Sequence, residues 1–285
     1  MTPHALALCA LLAVPAAAHR YDAEAHAALE AMERAASGVN DYTMRLVKRE
    51  LRGTELSPEE TIVIKWQRPQ RIYLHAIAGP HEGQEVIYAP GWNKNKIRVH
   101  KGSFPDFNLS LDPYGTLAMA SSHHPVPEVS LVRLVGLVLD NVRRARARNV
   151  GSLVYAGRET LYGRAVVKLE ATTPATGKTP TIEKGQTLWD VAKATGQSMY
   201  VILHANRARG WRRADHPDGG DAVIVPDFYA GRLVLWIDEA LNLPIQVDLY
   251  DHEEQLYEHY EHHDLEVDVG LTDADFDPKN PEYKF

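Results

Sequence analysis

Histidine is the residue type that most invites a chemical reading: the 285-residue sequence holds 14 of them against a single cysteine. His123 and His124 stand together before Pro125, and His259, His262 and His263 lie in the run YEHYEHHDLE. Successive side chains of a strand point to opposite faces, so His259 and His263 share one face and His262 takes the other, which is not a three-ligand metal set. No HExxH or His-x-His pattern accompanies them, so the zinc chemistry of cell-wall metallopeptidases has no visible ligands. Cys9 falls in an apolar leader, which leaves the rest of the chain without a thiolate nucleophile. Asp112, Asp238 and Asp273 fall at turns and read as caps, not as an acid–base pair. A Ser-His-Asp site assembled only in space stays open, since such triads are recognised by geometry. The expectation is a protein that binds and does not catalyse, with no cofactor and no metal; a peptidoglycan hydrolase with an unrecognised site is the enzymatic alternative.

The other chemically suggestive stretch is PTIEKGQTLWDVAKATGQSMYVILHANRA, residues 180–208, followed by a basic loop carrying Trp211. Thr187 can N-cap a first helix, Gly196 can end it, and Ser198 can start a second. Trp211 offers either a sugar-stacking platform or a plug for its own loop.

The elements around this stretch read as strand. DYTMRLVKREL, TIVIKWQ, RIYLHAIA, QEVIYAP and NKIRVHKG are short β-rich runs separated by Gly53, Ser57-Pro58, Arg68-Pro69, Gly79-Pro80 and Pro90-Gly91. That spacing leaves no room for crossover helices, so the sheet is antiparallel. Residues 23–37 form one amphipathic helix with Leu29 and Met32 on a common face. VSLVRLVGLVLDNVRRARARN, from Val129, is apolar over more than one stripe and should lie covered against the concave side of the sheet. Its terminal arginines suit the C-terminal end of a helix dipole. After SLVYAGRETL and RAVVKLEATT, the helical stretch intervenes, and the alternating pattern resumes at residue 231.

Composition sets the frame: 45% hydrophobic and 24% charged residues describe a folded chain, and a formal net charge of -7 argues against a general nucleic-acid binder. Residues 1–18 read as a secretory signal cut after Ala18, and no later segment is apolar enough to span a bilayer. The chain is therefore expected to be exported, periplasmic or otherwise cell-wall associated, and not an integral membrane protein.

Residues 179–226 resemble a LysM domain, on PTIEKG, Gly185-Gln186-Thr187-Leu188-Trp189-Asp190-Val191-Ala192, the helix ending at Asn206, and GDAVIVP from Gly220 to Pro226. The resemblance implies a βααβ module that binds N-acetylglucosamine polymers such as peptidoglycan. Its groove would use Gly185, Gln186, Thr187 and Leu188 on one side and Pro217, Asp218, Gly219 and Gly220 on the other, with Asn206 and Trp211 as further candidates. Gln186 stands where the family usually has Asp, and the approach to the last strand also departs from the family pattern.

The remainder, residues 19–178 and 227–285, resembles a family of exported bacterial proteins related to the outer-membrane lipoprotein carriers (LolA-like). The resemblance is carried by DYTMRLVKRE, GQEVIYAPGWNKNKIRVH, LDPYGTLAMASSHHPVPE, GRETLYGRAVVKLEAT, LWIDEALNLPIQVDLYD and VGLTDADFDPKNPEYKF. It implies an α+β fold: an antiparallel β half-barrel wrapped around helices, interrupted by the inserted module. It also implies an apolar cavity for acyl chains of a lipid or lipidated protein, lined by Tyr73, Ile87, Met119, Leu131, Leu134, Leu137, Val138, Leu235 and Trp236. The alternative is a cell-wall structural or interaction protein whose half-barrel is a filled core.

Overall fold

The computed structural model describes residues 20–285 apart from Asp106 and His216; the expected signal segment lies outside the described residues. The described residues open with α1 (Ala23–Gly38) and run through β1 (Asp41–Arg52), β2 (Glu55–Leu56), β3 (Glu60–Gln67), β4 (Arg71–Ala78), β5 (Glu85–Tyr88), β6 (Ile97–His100) and β7 (Asn108–Leu111). Then come α2 (Leu131–Ala147), β8 (Ser152–Leu161) and β9 (Arg164–Thr172). Between the neighbouring strands β9 and β12 stands a segment, called inserted for that position alone, that holds β10 (Gly177–Lys178), α3 (Leu188–Thr195), α4 (Met199–Ala205) and β11 (Val225–Pro226), and β12 (Arg232–Asp238), β13 (Pro244–Tyr250) and β14 (Leu256–Val267) complete the sheet.

The result is an α+β fold built on one open antiparallel sheet in the order β7-β6-β5-β4-β3-β1-β14-β13-β12-β9-β8, with β2 beside β1. The strand runs read from the sequence outside the inserted segment are all present, and β2 and β7 stand beside them. Register shifts at Thr43/Arg45, Leu249/Tyr250 and Tyr155/Gly157 let the sheet bend.

Alternation decides what the bend encloses. Along β1, Tyr42, Met44 and Leu46 point to the concave side, where they meet Leu29 and Met32 of α1 and Leu131, Val135, Val138 and Val142 of α2. Ser130 caps α2 by accepting from the Arg133 amide at 3.1 Å, and the Tyr42 hydroxyl accepts from the Leu131 amide at 2.9 Å, fixing the helix start against β1. Tyr42 stacks on Trp66 with centroids 5.3 Å apart.

The convex side is covered in part by the C-terminal segment. Tyr283 stacks flat on Tyr73 at 4.0 Å, Phe276 packs with Tyr73 and Ile87, and Lys65 Nζ lies 2.9 Å from Asp275. The inserted segment has its own apolar cluster, including Ile182, Leu188, Ile202 and Val223. Its strands are shorter than the sequence suggested: a two-residue ribbon of β10 and β11 and an isolated bridge from Thr181 to Ala222 replace the expected full first and last strands. Among the described residues, no helix is long and apolar enough to cross a membrane.

Leu235 is fully buried in the main cluster. Leu235→Ala should cost about 2–5 kcal/mol of unfolding free energy, read from the urea midpoint at an unchanged slope.

Candidate binding cavity

The two long helices cover the β8, β9, β12 and β13 side of the concave face, and a cavity of about 870 Å³ is left under the other side. Its floor is the inward set of alternating residues: Met44 and Leu46 of β1, Ile62 and Ile64 of β3, Leu74 and Ala76 of β4, Val86 of β5, and Ile97 and Val99 of β6. Leu131, Leu134 and Leu137 of α2 face them, with Val126 and Val129 from the approach to that helix. Further along the wall the inserted segment contributes Trp189, Lys193, Gly196, Gln197 and Met199.

One end of the cavity is polar. Lys48, Glu50, Glu60, His81, His123, His124 and Tyr260 line it, and Glu258 stands directly behind. Glu258 is fully buried; the Tyr229 hydroxyl donates to its Oε1 at 2.7 Å, and His123 Nδ1 and His124 Nε2 lie 2.9 and 3.4 Å from the same oxygen. Glu50, 2% exposed, accepts from the Tyr260 hydroxyl at 3.0 Å and from the His123 amide at 3.1 Å. Lys48 Nζ sits between Glu50 and Glu60, at 3.5 and 3.6 Å, while His81 Nδ1 is 2.7 Å from Glu60.

Burial by itself would raise the Glu258 carboxyl, but the charge of His124 and the bonds from His123 and His124 outweigh it and hold the group well below the usual carboxylate range. Burial would likewise depress His124, yet Glu258 and then Glu50 keep it raised. Glu50 is lowered against its own burial by Lys48 and the paired imidazoles. His262 also lines the cavity: burial depresses it to about 4, only partly offset by the Pro244 carbonyl, 2.7 Å from Nδ1.

Of the residues expected to line a cavity, Leu131, Leu134 and Leu137 do so. Val138 and Leu235 are packed into the main core instead, and Met119 is buried beside the cavity without lining it, its carbonyl accepting from the Tyr200 hydroxyl at 2.7 Å. Tyr73, Ile87 and Trp236 point the other way. Strand alternation sends Tyr73 and Ile87 to the convex side under the C-terminal segment, and Trp236 to a convex cluster with Val166, Val234 and Ile245. The polar residues of the site were missed. Their signal was Lys48 and Glu50 in phase with Met44 and Leu46 along DYTMRLVKREL, polar types at positions whose period demands burial.

In the inserted segment, the two loops expected to flank a groove do meet: a Cβ on Gly219 would lie 2.8 Å from Lys184 Cα, and the Gly220 amide donates to the Ile182 carbonyl at 2.9 Å. Gly185, Asp218, Gly219 and Gly220 are exposed, Gln186 and Thr187 are half-buried, and Pro217 is buried. Three of the proposed contacts have other duties. Thr187 is spent on the α3 capping box with Asp190, Leu188 is a core residue whose amide donates to Ala214, and buried Asn206 bridges the Ile202 and Ile224 carbonyls. Trp211 is half-buried against the segment's own cluster, with the Arg209 guanidinium 5.1 Å from its ring.

His204, Asp251 and Glu253 bring possible ligand atoms within 4.8 Å of one another. Arg207 sits 3.1 Å from Glu253 and 3.9 Å from Asp251, so a cation of the chain already fills that role and the group reads as an ion-pair cluster joining α4 to the β13–β14 turn.

A family model described as "Protein of unknown function (DUF1571)" matches residues 39–200 and 224–285. The chain belongs to this family. No curated protein matches it. Among solved structures, the DUF1571 chain is similar to MucB at 14% identity and a TM-score of 0.45, covering 90% of this chain and 63% of that one. It is also similar to the Mycobacterium tuberculosis lipoprotein LppX, at 11% identity and a TM-score of 0.43, covering 88% and 100%. A LolA superfamily protein from Nitrosomonas europaea matches at 9% identity and a TM-score of 0.35, covering 89% and 97%. This chain thus spans less than two thirds of the MucB chain.

Two stability measurements probe the polar end. Glu258→Gln removes a fully buried carboxylate that is the counter-charge of His124 and a hydrogen-bond partner of His123, and should destabilise the protein by about 3–5 kcal/mol at pH 6, read by urea unfolding. His262 is depressed in the folded state, so its contribution is present above its unfolded value near pH 6.5 and is lost as pH falls toward 4. Wild type should lose up to about 3 kcal/mol through that window that His262→Gln does not lose, seen by comparing urea midpoints at pH 7 and 4.5.

Proposed function

We propose that this protein is an exported, non-enzymatic binding protein of the bacterial envelope, periplasmic in location, whose cavity takes an acyl chain of a lipid or lipidated protein. The observation that carries the reading is the cavity itself. At about 870 Å³ it falls in the size range of small-molecule sites, and a long apolar floor ends in a buried polar cluster. That is the polarity profile of a lipid: hydrocarbon against Met44, Ile64, Leu134 and Leu137, and an ester or headgroup toward Lys48, Glu50 and the histidines. Each buried methylene contributes about 0.8 kcal/mol, so even part of a chain binds usefully.

The reading extends to the inserted segment as a LysM-like peptidoglycan tether. Its element order, short strand, helix, helix, short strand, and the contact between the 183–186 turn and the 217–220 loop support this, as does the exposure of Gly185, Asp218, Gly219 and Gly220.

Native mass spectrometry of protein purified from an exporting host should show a bound species of lipid mass. Leu137→Arg, on the half-buried face of α2, should deplete it: blocking about three methylenes removes roughly 2 kcal/mol, some 30-fold in affinity. A bare mass for the wild-type chain would reject the acyl site. For the tether, the chain should sediment with purified peptidoglycan and be released by N-acetylglucosamine oligomers; protein that stays in the supernatant at every glycan concentration would reject it.

A further inference from the structure

The inserted segment lies against the cavity as well as against solvent, and its docking is specific. The Tyr200 hydroxyl of α4 donates to the Met119 carbonyl at 2.7 Å, and Tyr200 stacks on His123, which lines the polar end, at 5.0 Å. Val201 enters the main core of the sheet domain at 6% exposure. His204 Nε2 lies 2.9 Å from Asp251 Oδ2. These contacts fix α3 as well, because α3 and α4 share the cluster of Leu188, Val191, Met199 and Ile202. The start of α3 is held further by the capping box of Thr187 and Asp190.

From that fixed position Trp189 meets Tyr114 edge to face, with centroids 5.5 Å apart at 90°. Tyr114 is 43% exposed and Leu117 65% exposed, yet both line the cavity, and with exposed Asp190 and Lys193 facing them they stand where it opens to solvent. Trp189 itself is half-buried and lines the same opening. An indole here is a broad, rigid apolar surface set at the mouth, opposite the loop that leads from β7 to α2.

We infer that the inserted segment supplies part of the ligand-binding wall: Trp189, paired with Tyr114 across the mouth, contacts the bound chain. This rests on the acyl-binding reading above and adds the residue that would decide how a chain enters and how its exposed portion is covered. A module used only as a tether would need no apolar side chain in the cavity of its host. Here the 185–187 turn and Trp189 are held by the same first turn of α3, so the segment's two surfaces are adjacent on one helix start.

Brominated fatty acid tests this on the full chain without its leader, because bromine quenches indole fluorescence on contact. The protein has five tryptophans, and Trp66, Trp92, Trp211 and Trp236 do not line the cavity. Titration with 9,10-dibromostearate, with bound probe measured in parallel by equilibrium dialysis, should give saturable quenching that falls by at least half in Trp189→Phe. Trp236→Phe, on the convex side, should leave the quenching amplitude per bound probe unchanged. Tyr114→Ala, on the other side of the mouth, should weaken dialysis binding several-fold even if Trp189→Phe folds poorly. Bound probe with quenching indifferent to Trp189→Phe, and binding indifferent to Tyr114→Ala, would overturn the inference and leave the acyl site standing. Dialysis showing no bound probe would overturn both.

Discussion

An eleven-strand sheet at the usual interstrand spacing is about 48 Å across, and two packed helices, each roughly 10 Å wide, cover less than half of it. Every inward residue still has to be kept from water or given a partner, and that mismatch governs the rest of the molecule. Where α1 and α2 lie, Leu153, Leu169, Leu235 and Val247 find helix side chains and close into core. Where they do not, Ile62, Leu74, Val86 and Val99 are left as the wall of a hollow. On the convex side the same shortage is met by the C-terminal segment, which lays Phe276 and Tyr283 over Tyr73 and Ile87.

The polar end of the hollow is expensive to build. Burying carboxylates such as Glu50, Glu60 and Glu258 costs several kcal/mol apiece unless each is closely partnered. The partners come from separate parts of the chain: Tyr229 from the approach to β12, Tyr260 from β14, His123 and His124 from the loop before α2, Lys48 from β1 and His81 from the turn after β4. His123 is the junction, since its ring lies between Tyr200 of α4 and Tyr257 of β14 at 5.0 and 4.7 Å while its Nε2 meets the Leu51 carbonyl at 2.7 Å. A ligand's polar end would therefore face groups already held rigid by one another, which lowers the ordering cost of binding.

Much of this was legible in local sequence. Period-two alternation located the strands, the broad apolar coverage of residues 131–142 placed α2 against the sheet, and Thr187 and Gly196 bounded α3 through a cap bond and a left-handed turn with φ +68° that sequence alone suggests. Facing was legible only where alternation was clean. β4 and β12 are apolar at consecutive positions, as in RIYL and LVLWI, so nothing local distinguishes Leu74 from Tyr73 or Leu235 from Trp236. The cover over Tyr73 comes from a segment some 200 residues away, a distance over which no periodicity argues. Leu188 and Asn206 have inward duties for a related reason: residues that recur in a module's pattern can hold its own core and its own carbonyls.

Insertion into a strand-to-strand turn is usually tolerated because loop-closure entropy grows slowly with the length inserted, and that argument treats the guest as a passenger. The passenger picture does not fit these contacts. A ribbon of two residues per strand fixes little orientation, so the angle between segment and sheet is set by α4, through Val201 in the host core and the His204, Arg207, Asp251 and Glu253 cluster. Side chains that complete a neighbour's core belong to that neighbour's folding equilibrium, since removing them leaves a cavity on the other side. The uncovered width of the sheet and the presence of the segment are thus two aspects of one packing solution: the helices leave the hollow open on one side, and α3 supplies the wall that a third long helix of the sheet domain would otherwise have to provide.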